Sequence, residues 1–400
     1  MTADGPAALA QRLSDGGHLP AAWLGSFTRV DRAGFLPDRI WVRAADGYEP
    51  VDRYAEPDRW RKLAYSDEAL VTQVEDRPGA AVARTPSSSA SMPSVVATML
   101  QALDVHDGQR VLEIGAGTGY NAALLSARLG SEQVTTVEVD PALADRARAA
   151  LESAGHRPAV ITADGTDGWP PGAPYDRTIA TCAVHDVPRA WIEQTAPGGL
   201  IVLPWGTALR NGVLLRLTVE DRPDGPVASG PVVGDSAFMW LRAQEPDRDV
   251  MAVVRGGADS GGTRLDPSFL GDDDAWFAAG VLVPGCRSAA GSGPDGAWTL
   301  WLADSASGSW ASVDYEPDAT DYEVRQHGPR LLWNELEAAH AWWERAGRPT
   351  RTRFGLTVTP AGQRVWLDCP DNVVPADLRR EGEQPAPDIG LPAVGSWNAS

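Results

Sequence analysis

An α/β architecture on a mostly parallel sheet, followed by a further folded segment, is predicted by three observations. Short apolar runs alternate with amphipathic helical stretches between residues 91 and 205, the pattern of β-α-β units whose sheet is covered on both faces. Past Trp205 the alternation stops, and Val213 to Val219 places apolar side chains at every second position, as an antiparallel strand does. The chain has 400 residues, more than one hydrophobic core commonly serves, so a second domain or a large addition is expected.

Residues 1–90 read as short helical pieces broken by Gly and Pro, an N-terminal helical cap. Ser91 is the expected N-cap of a helix with Pro93 in its first turn and Val95, Val96, Met99, Leu100 and Leu103 at helical spacing. Val111–Ile114 is a strand, followed by a glycine cluster and a helix carrying Leu124, Leu125 and Leu129. Residues 134–139 form the next strand, with Asp140 as N-cap and Pro141 opening a helix that runs to about Ala154. Further strands are expected at Ala159–Thr162, Arg177–Thr181 and Leu200–Pro204, and this domain spans 91–243. Residues 244–378 read as an α+β domain that selects or holds the acceptor. Its expected strands are Gly280–Val283, Trp298–Ala303 and Ser309–Tyr315. A helix with Leu332, Leu336, Ala339 and Trp343 on one face stops at Gly347, and a hairpin over 354–368 turns at Pro360-Ala361-Gly362. The Glu- and Pro-containing tail, 379–400, is expected to be disordered.

Composition narrows the function. With 35 basic against 54 acidic residues the formal net charge is −19, which disfavours a sequence-independent grip on phosphate backbones, so no nucleic-acid partner is expected. Three scattered cysteines and six histidines without ligand spacing predict no metal site. The start lacks a basic, apolar signal pattern and no run reaches about 18 apolar residues, so no membrane association and a cytoplasmic location are expected.

The informative segment is Val111-Leu112-Glu113-Ile114-Gly115-Ala116-Gly117-Thr118-Gly119-Tyr120. A strand ending in alternating glycines and turning into a helix lets backbone approach a ligand that side chains would block. Glu113, at the strand's end, can receive a cationic group; Glu138, ending the next strand, can accept both hydroxyls of a ribose. A dinucleotide would set its pyrophosphate against the helix N-terminus and want no acid in the loop. S-adenosylmethionine has an amino group to hold and no phosphate, so it is expected over NAD. Asp164 can accept from the adenine amine while Gly165 leaves room for the ring, although alone Asp164 would read as a cap or turn residue. The candidate cofactor contacts are thus Glu113, Gly115, Ala116, Gly117, Thr118, Gly119, Glu138, Val139, Asp164 and Gly165. Cys182 reads as a small buried residue, and His185 as structural or substrate-contacting.

Several motifs in order resemble one family, the protein-L-isoaspartate O-methyltransferases. Arg32-Ala33-Gly34-Phe35-Leu36-Pro37 is similar to the family's Arg-x-x-Phe-Val-Pro, and Ala64-Tyr65-Ser66-Asp67-Glu68-Ala69-Leu70 to its Ala-Tyr-x-Asp-x-x-Leu. Ser91-Met92-Pro93 resembles the Ser-Gln-Pro active-site loop, and Tyr175–Ile179 and Pro197–Pro204 the fourth and fifth strands. The resemblance covers about residues 28 to 242. It implies a Rossmann-like class I S-adenosylmethionine methyltransferase with a mostly parallel seven-stranded sheet, S-adenosylhomocysteine as product, and Ser91 as the active-site serine. Ser89, Met92, Thr181 and His185 are the candidate acceptor contacts. The chain departs from the family at Met92, at Ser94 and over Thr85–Ala90, so the acceptor pocket is altered. With its extra C-terminal length it is similar to actinobacterial homologues found with ribosomally made peptides, lanthipeptides and graspetides.

A carboxylate, with an ordinary pKa of about 4, is ionised at neutral pH and attacks a sulfonium methyl without a general base. The methyl ester can then be displaced by the following backbone nitrogen, releasing methanol and leaving a succinimide (aspartimide). Three functions compete: methylation of an aspartate in a ribosomally made precursor peptide, which the altered loop and the appended domain favour; repair of isoaspartyl proteins; and a non-catalytic cofactor-binding module, which the full set of cofactor residues disfavours.

Overall fold

A computed structural model describes residues 5–44, 47–76, 84–246 and 249–375. The expected disordered tail lies outside the described residues. Two compact units emerge, one drawn from Met1–Arg248 and Pro349–Val374, the other centred on Asp249–Arg348.

The N-terminal segment holds helices α1 (Pro6–Asp15), α2 (Ala21–Arg29) and α3 (Pro57–Ala64). It also holds four strands, β1 (Arg39–Ala44), β2 (Gly47–Asp52), β3 (Leu70–Asp76) and β4 (Arg84–Ala90), in an antiparallel sheet of order β2-β1-β3-β4. A purely helical cap is therefore corrected. Ile40, Trp41 and Val42 suit a pleated strand, but so short a strand is stable only with partners, and β3 and β4 come from beyond α3. Leu36, Ile40, Val51, Trp60 and Leu70 form its small core. Helices α1 and α2 belong to a different core, where Leu9, Leu13, Trp23 and Phe27 share one cluster with Leu100 of α4 (Pro93–Leu103) and Leu124 of α5 (Tyr120–Leu129).

Five parallel strands carry the central sheet: β5 (Val111–Ile114), β6 (Val134–Glu138), β7 (Ala159–Thr162), β8 (Tyr175–Ala180) and β9 (Thr195–Gly206), in spatial order β9-β8-β5-β6-β7. Helices α5, α6 (Pro141–Ser153) and α7 (Arg189–Gln194) pack on it. Every residue of β5 is buried, as a central strand covered on both faces requires. The strand order reverses beside β5, with β6 on one side and β8 on the other, and ligands of such sheets bind at that switch point, beyond the strands' carboxyl ends. Strands β10 (Asn211–Glu220) and β11 (Val227–Asp235) follow antiparallel.

The second unit is an antiparallel sheet of order β12-β16-β15-β14-β13 with two helices. In chain order it comprises β12 (Asp259–Thr263), α8 (Asp273–Leu282), β13 (Arg287–Ser292), β14 (Trp298–Asp304), β15 (Ser309–Tyr315), β16 (Tyr322–His327) and α9 (Leu332–Arg345). Gly280–Val283, expected as a strand, is the last turn of α8 and its C-cap, a correction that short apolar runs invite because a buried helix and a buried strand read alike. The Asp272 carboxylate accepts from the N–H groups of Asp274 and Ala275 and fixes where α8 begins.

The chain then returns to the first unit as the hairpin β17 (Phe354–Thr359) and β18 (Gly362–Leu367). Strand β17 pairs with β11, Ala228 opposite Val358 and Pro231 opposite Gly355. The expected mostly parallel seven-stranded sheet is corrected to a mixed sheet of nine strands, of which five are parallel. The hairpin was expected within the appended domain, and what moves it is the ladder of backbone donors and acceptors that β11 would otherwise leave unpaired.

Candidate active site

Beyond the carboxyl end of β5 lies an open cleft of about 1070 Å³, bordered by the glycine loop, the end of β6, the end of β4 and the segment 238–242. The loop's shape follows from its glycines. Gly115 has φ +92, and a Cβ there would stand 2.7 Å from Thr181 Oγ1; Gly117 has φ +53 and faces the cleft. Backbone N–H groups of Gly115 and Ala116 donate to the Val137 carbonyl, which ties the loop to β6.

Glu138 ends β6 in the cleft wall. Its Oε2 accepts from Gly117 N–H at 2.9 Å and its Oε1 from Asp140 N–H at 3.1 Å, so the carboxylate is held in one orientation with lone pairs to spare. Glu113 is fully buried. Asn121 Nδ2 donates to its Oε1 at 2.7 Å, while Oε2 has no hydrogen-bond partner among the described residues. Burial pushes its carboxyl up to about 7, against the lowering influence of the nearby Thr136 hydroxyl and Asn121 amide, and the charge of Glu138 adds to the rise. A buried carboxylate oxygen that accepts no hydrogen bond, with the Thr136 hydroxyl nearby and a cleft beside it, fits a cationic ligand group. Gly165 also lines the cleft, and a Cβ on it would stand 2.6 Å from Ile114 Cγ2.

Ser91 borders the cleft at the start of α4, but it does not cap that helix. Met92 is the N-cap residue and offers no side-chain bond; Asp67 Oδ1 instead accepts from Ser94 N–H at 2.8 Å. A carboxylate reaching in from another segment replaces the expected local cap. The Ser91 loop is held by Arg32, whose buried guanidinium donates to the carbonyls of Ala64, Ser66, Glu68, Ala90 and Ser91. Burial pushes this guanidinium down to about 10, opposed by Tyr120, Asp67 and Glu68. The two N-terminal motifs are thus the socket that positions Ser91.

Of the residues singled out from sequence, Glu113, Gly115, Ala116, Gly117, Thr118, Glu138, Val139, Gly165, Ser89, Ser91 and Thr181 come together on the cleft. Gly119 lies just behind it, where a Cβ would meet the Ala147 carbonyl of α6 at 3.3 Å. Asp164 is exposed and caps a short turn by accepting from Thr166 N–H at 2.9 Å, so its ordinary turn role is the one seen. Met92 is absent from the lining. So is His185, whose ring stacks on Trp205 at 6.2 Å and whose Nδ1 stands 3.3 Å from Asp186. Cys182 does border the cleft, and burial pushes its thiol up to about 12, which leaves it protonated and inert.

Sequence reasoning missed Asn121 and the wall Phe238–Arg242. The wall is pinned by Ala183, whose N–H donates to the Met239 carbonyl and whose carbonyl accepts from Leu241 N–H, and Arg242 pairs with Asp140 at 3.3 Å. Only the apolar Phe-Met-Trp-Leu run after β11 hints at it in the sequence. Among the described residues no group of acidic, histidine or cysteine side chains is arranged to hold a metal, and no helix is long and apolar enough to cross a membrane.

Known proteins match this arrangement. The profile of the family described as protein-L-isoaspartate(D-aspartate) O-methyltransferase matches residues 30–226. A protein-L-isoaspartate O-methyltransferase 1 from Rhodopseudomonas palustris (strain HaA2) is 35% identical over 254 residues, covering 62% of this chain and 89% of its own length. One from Thermococcus onnurineus (strain NA1) is 39% identical over 229 residues, covering 54% and 95% respectively. A solved structure titled protein-L-isoaspartate O-methyltransferase aligns with a TM-score of 0.50 at 22% identity, covering 90% of this chain and 99% of that one, a likeness of fold. The chain belongs to the protein-L-isoaspartate O-methyltransferase family, whose members are S-adenosylmethionine-dependent protein carboxyl O-methyltransferases.

Proposed function

We propose that this protein methylates the free carboxylate of isoaspartyl residues in polypeptides. The observation that carries the reading is the fully buried Glu113, with one oxygen held by Asn121 and the other without a donor, beside a cleft that Glu138 and Ser91 also border. S-adenosylmethionine, when bound, supplies an electrophilic methyl group. Glu113 would receive the amino group of the bound cofactor, Glu138 would accept from its ribose hydroxyls, and Val139, Gly165 and Leu241 would wall its adenine. Asp164 stands next to Gly165 and serves that corner through its spare oxygen. Ser91 holds the acceptor carboxylate by a hydrogen bond. The acceptor is already ionised, so no residue need take a proton, which agrees with an inert Cys182 thiol and a His185 that stays off the cleft. Alignment of the carboxylate oxygen with the methyl group, and exclusion of water, account for the acceleration.

After transfer, the backbone nitrogen following the acceptor attacks the ester carbonyl, the methoxide leaves with that nitrogen's proton as methanol, and a succinimide forms. Hydrolysis opens it to aspartate or isoaspartate, so repeated cycles repair the damage. A second reading, methylation of an aspartate in a ribosomally made precursor peptide, is supported by the departures at Met92, Ser94 and Thr85–Ala90. The appended unit does not favour it, because the fold likeness covering 90% of this chain is to a protein titled as the isoaspartate enzyme. Mass spectrometry of paired peptides, identical except for isoaspartate or aspartate at one position, separates the readings. Methyl gain followed by methanol loss on the isoaspartyl peptide alone is expected. Methylation of the aspartyl peptide alone overturns the repair reading, and methylation of neither, with S-adenosylhomocysteine bound, overturns both.

A further inference from the structure

Past β8 the chain runs through a loop from Thr181 to Val187, and its first half ties together two borders of the cleft. The Thr181 hydroxyl donates to the Gly115 carbonyl of the glycine loop, and Ala183 bonds through its backbone to Met239 and Leu241 of the wall. The second half, His185 to Val187, is held by side chains from far along the sequence. Gln244 Oε1 accepts from the N–H groups of His185 at 2.8 Å and Asp186 at 3.0 Å, and its Nε2 donates to the Asp186 carbonyl at 2.7 Å. Gln363, on β18, accepts from Val187 N–H at 3.2 Å and donates to the His185 carbonyl at 2.8 Å. Trp205 Nε1 donates to that same carbonyl at 2.7 Å. The segment that brings Gln363 back into the first unit is anchored by Arg351, whose guanidinium donates to both oxygens of Asp235 at 2.8 and 2.9 Å, at the end of β11.

We infer that Gln363, together with Gln244, is a positioning residue for cofactor binding: the two amides lock the loop after β8, and that loop fixes the cleft's borders through Thr181 and Ala183. This rests on the reading of the cleft as the S-adenosylmethionine site. Neither glutamine borders the cleft, so both act through the loop. An amide side chain suits the task because it presents one acceptor and one donor group side by side, the complement of exposed peptide N–H and C=O groups. Without Gln363 the His185 carbonyl keeps Trp205, but the N–H of Val187, a residue only 6% exposed, is left without its acceptor. An orphaned buried donor costs enough to shift the loop toward water, and Ala183 moves the wall with it. Ser91 is held separately, by Arg32, so the effect falls on cofactor affinity and not on the methyl-transfer step.

Full-length Gln363→Met and Gln244→Met proteins test this, with Arg364→Met, an exposed position on the same strand as Gln363, as the control. Calorimetry with S-adenosylhomocysteine is run at 25 °C, where thermal unfolding shows each protein fully folded. The expected result is a Kd raised about 3- to 10-fold in each glutamine variant, as for loss of hydrogen bonds to a buried backbone group, with Arg364→Met like the parent. With an isoaspartyl peptide as acceptor, KM for S-adenosylmethionine rises likewise and kcat at saturating cofactor stays within about twofold. A lowered melting temperature with unchanged Kd and KM makes the glutamines merely structural and overturns the inference, as does a loss confined to kcat. Glu138→Ala in the same calorimetry separates the two levels. If it weakens binding and the glutamine variants do not, the positioning role alone is wrong; if it too leaves the affinity unchanged, the reading of the cleft fails and this inference with it.

Discussion

Replacing Glu113 by glutamine sets protein stability against cofactor binding, and does so in a pH-dependent way. The carboxyl sits at about 7, raised by burial from its ordinary 4.5. A folded state that holds its proton more tightly than the unfolded chain has the full benefit below about pH 4.5 and loses it as the pH rises through 7. With each pKa unit worth about 1.4 kcal/mol, the ionised side chain destabilises the ligand-free first unit by about 3 kcal/mol well above pH 7, an upper bound because local relaxation reduces it. Glutamine keeps an acceptor for Asn121 and carries no charge at any pH. The Glu113→Gln protein is therefore expected to unfold close to the parent temperature at about pH 5, and to be more stable by several degrees at about pH 8.5, at 2–4 °C per kcal/mol for about 150–250 residues. Cofactor affinity moves the other way. A cationic group beside Glu113 favours the ionised form, so S-adenosylhomocysteine binds the parent more tightly as pH rises through 7. The variant binds weakly and without that dependence. Thermal unfolding and titration calorimetry at both pH values read the two effects. A stability difference that is the same at both pH values would refute the assignment of a burial-raised carboxyl to Glu113.

Four further outcomes are expected. Glu138→Ala removes the proposed ribose acceptor and is expected to weaken S-adenosylhomocysteine binding by at least about 1 kcal/mol in calorimetry. Ser91→Ala lowers turnover by roughly 10- to 1000-fold with cofactor affinity nearly unchanged, the signature of a lost positioning contact; a fully active variant removes Ser91 from the acceptor site. Arg32→Met leaves five carbonyls without their shared donor and lowers stability by about 3 kcal/mol or more, read by denaturant unfolding. Truncation after residue 246 strips β17 from β11, so the remaining unit should melt at a lower temperature and aggregate, whereas a protein lacking only Asp249–Arg348, with the ends joined by a flexible linker, should keep S-adenosylhomocysteine binding.

The central α/β motif and much of the lining of the cleft were legible in sequence because their signals are local. Alternation of apolar runs, three glycines between strand and helix, Asp140 before Pro141, and acids at the ends of β5 and β6 each act within a few residues, and Asp140 indeed accepts from Ala142 and Leu143 N–H groups. What the sequence alone did not disclose depends on partners far along the chain. The β1–β4 sheet needs pairing across α3, the start of α4 takes its cap from Asp67 rather than Ser91, and five carbonyls from two segments converge on Arg32. The wall Phe238–Arg242 is placed by backbone bonds to Ala183, and β17 joins the first sheet because the edge of β11 offers unpaired donors and acceptors to any strand that reaches it. Periodicity reports which face of an element is buried but not against what, and hydrogen-bonding groups on an edge or at a helix end can be satisfied from any distance in sequence. The kind of site was therefore decided locally, and the way Ser91 is held was decided by the tertiary fold.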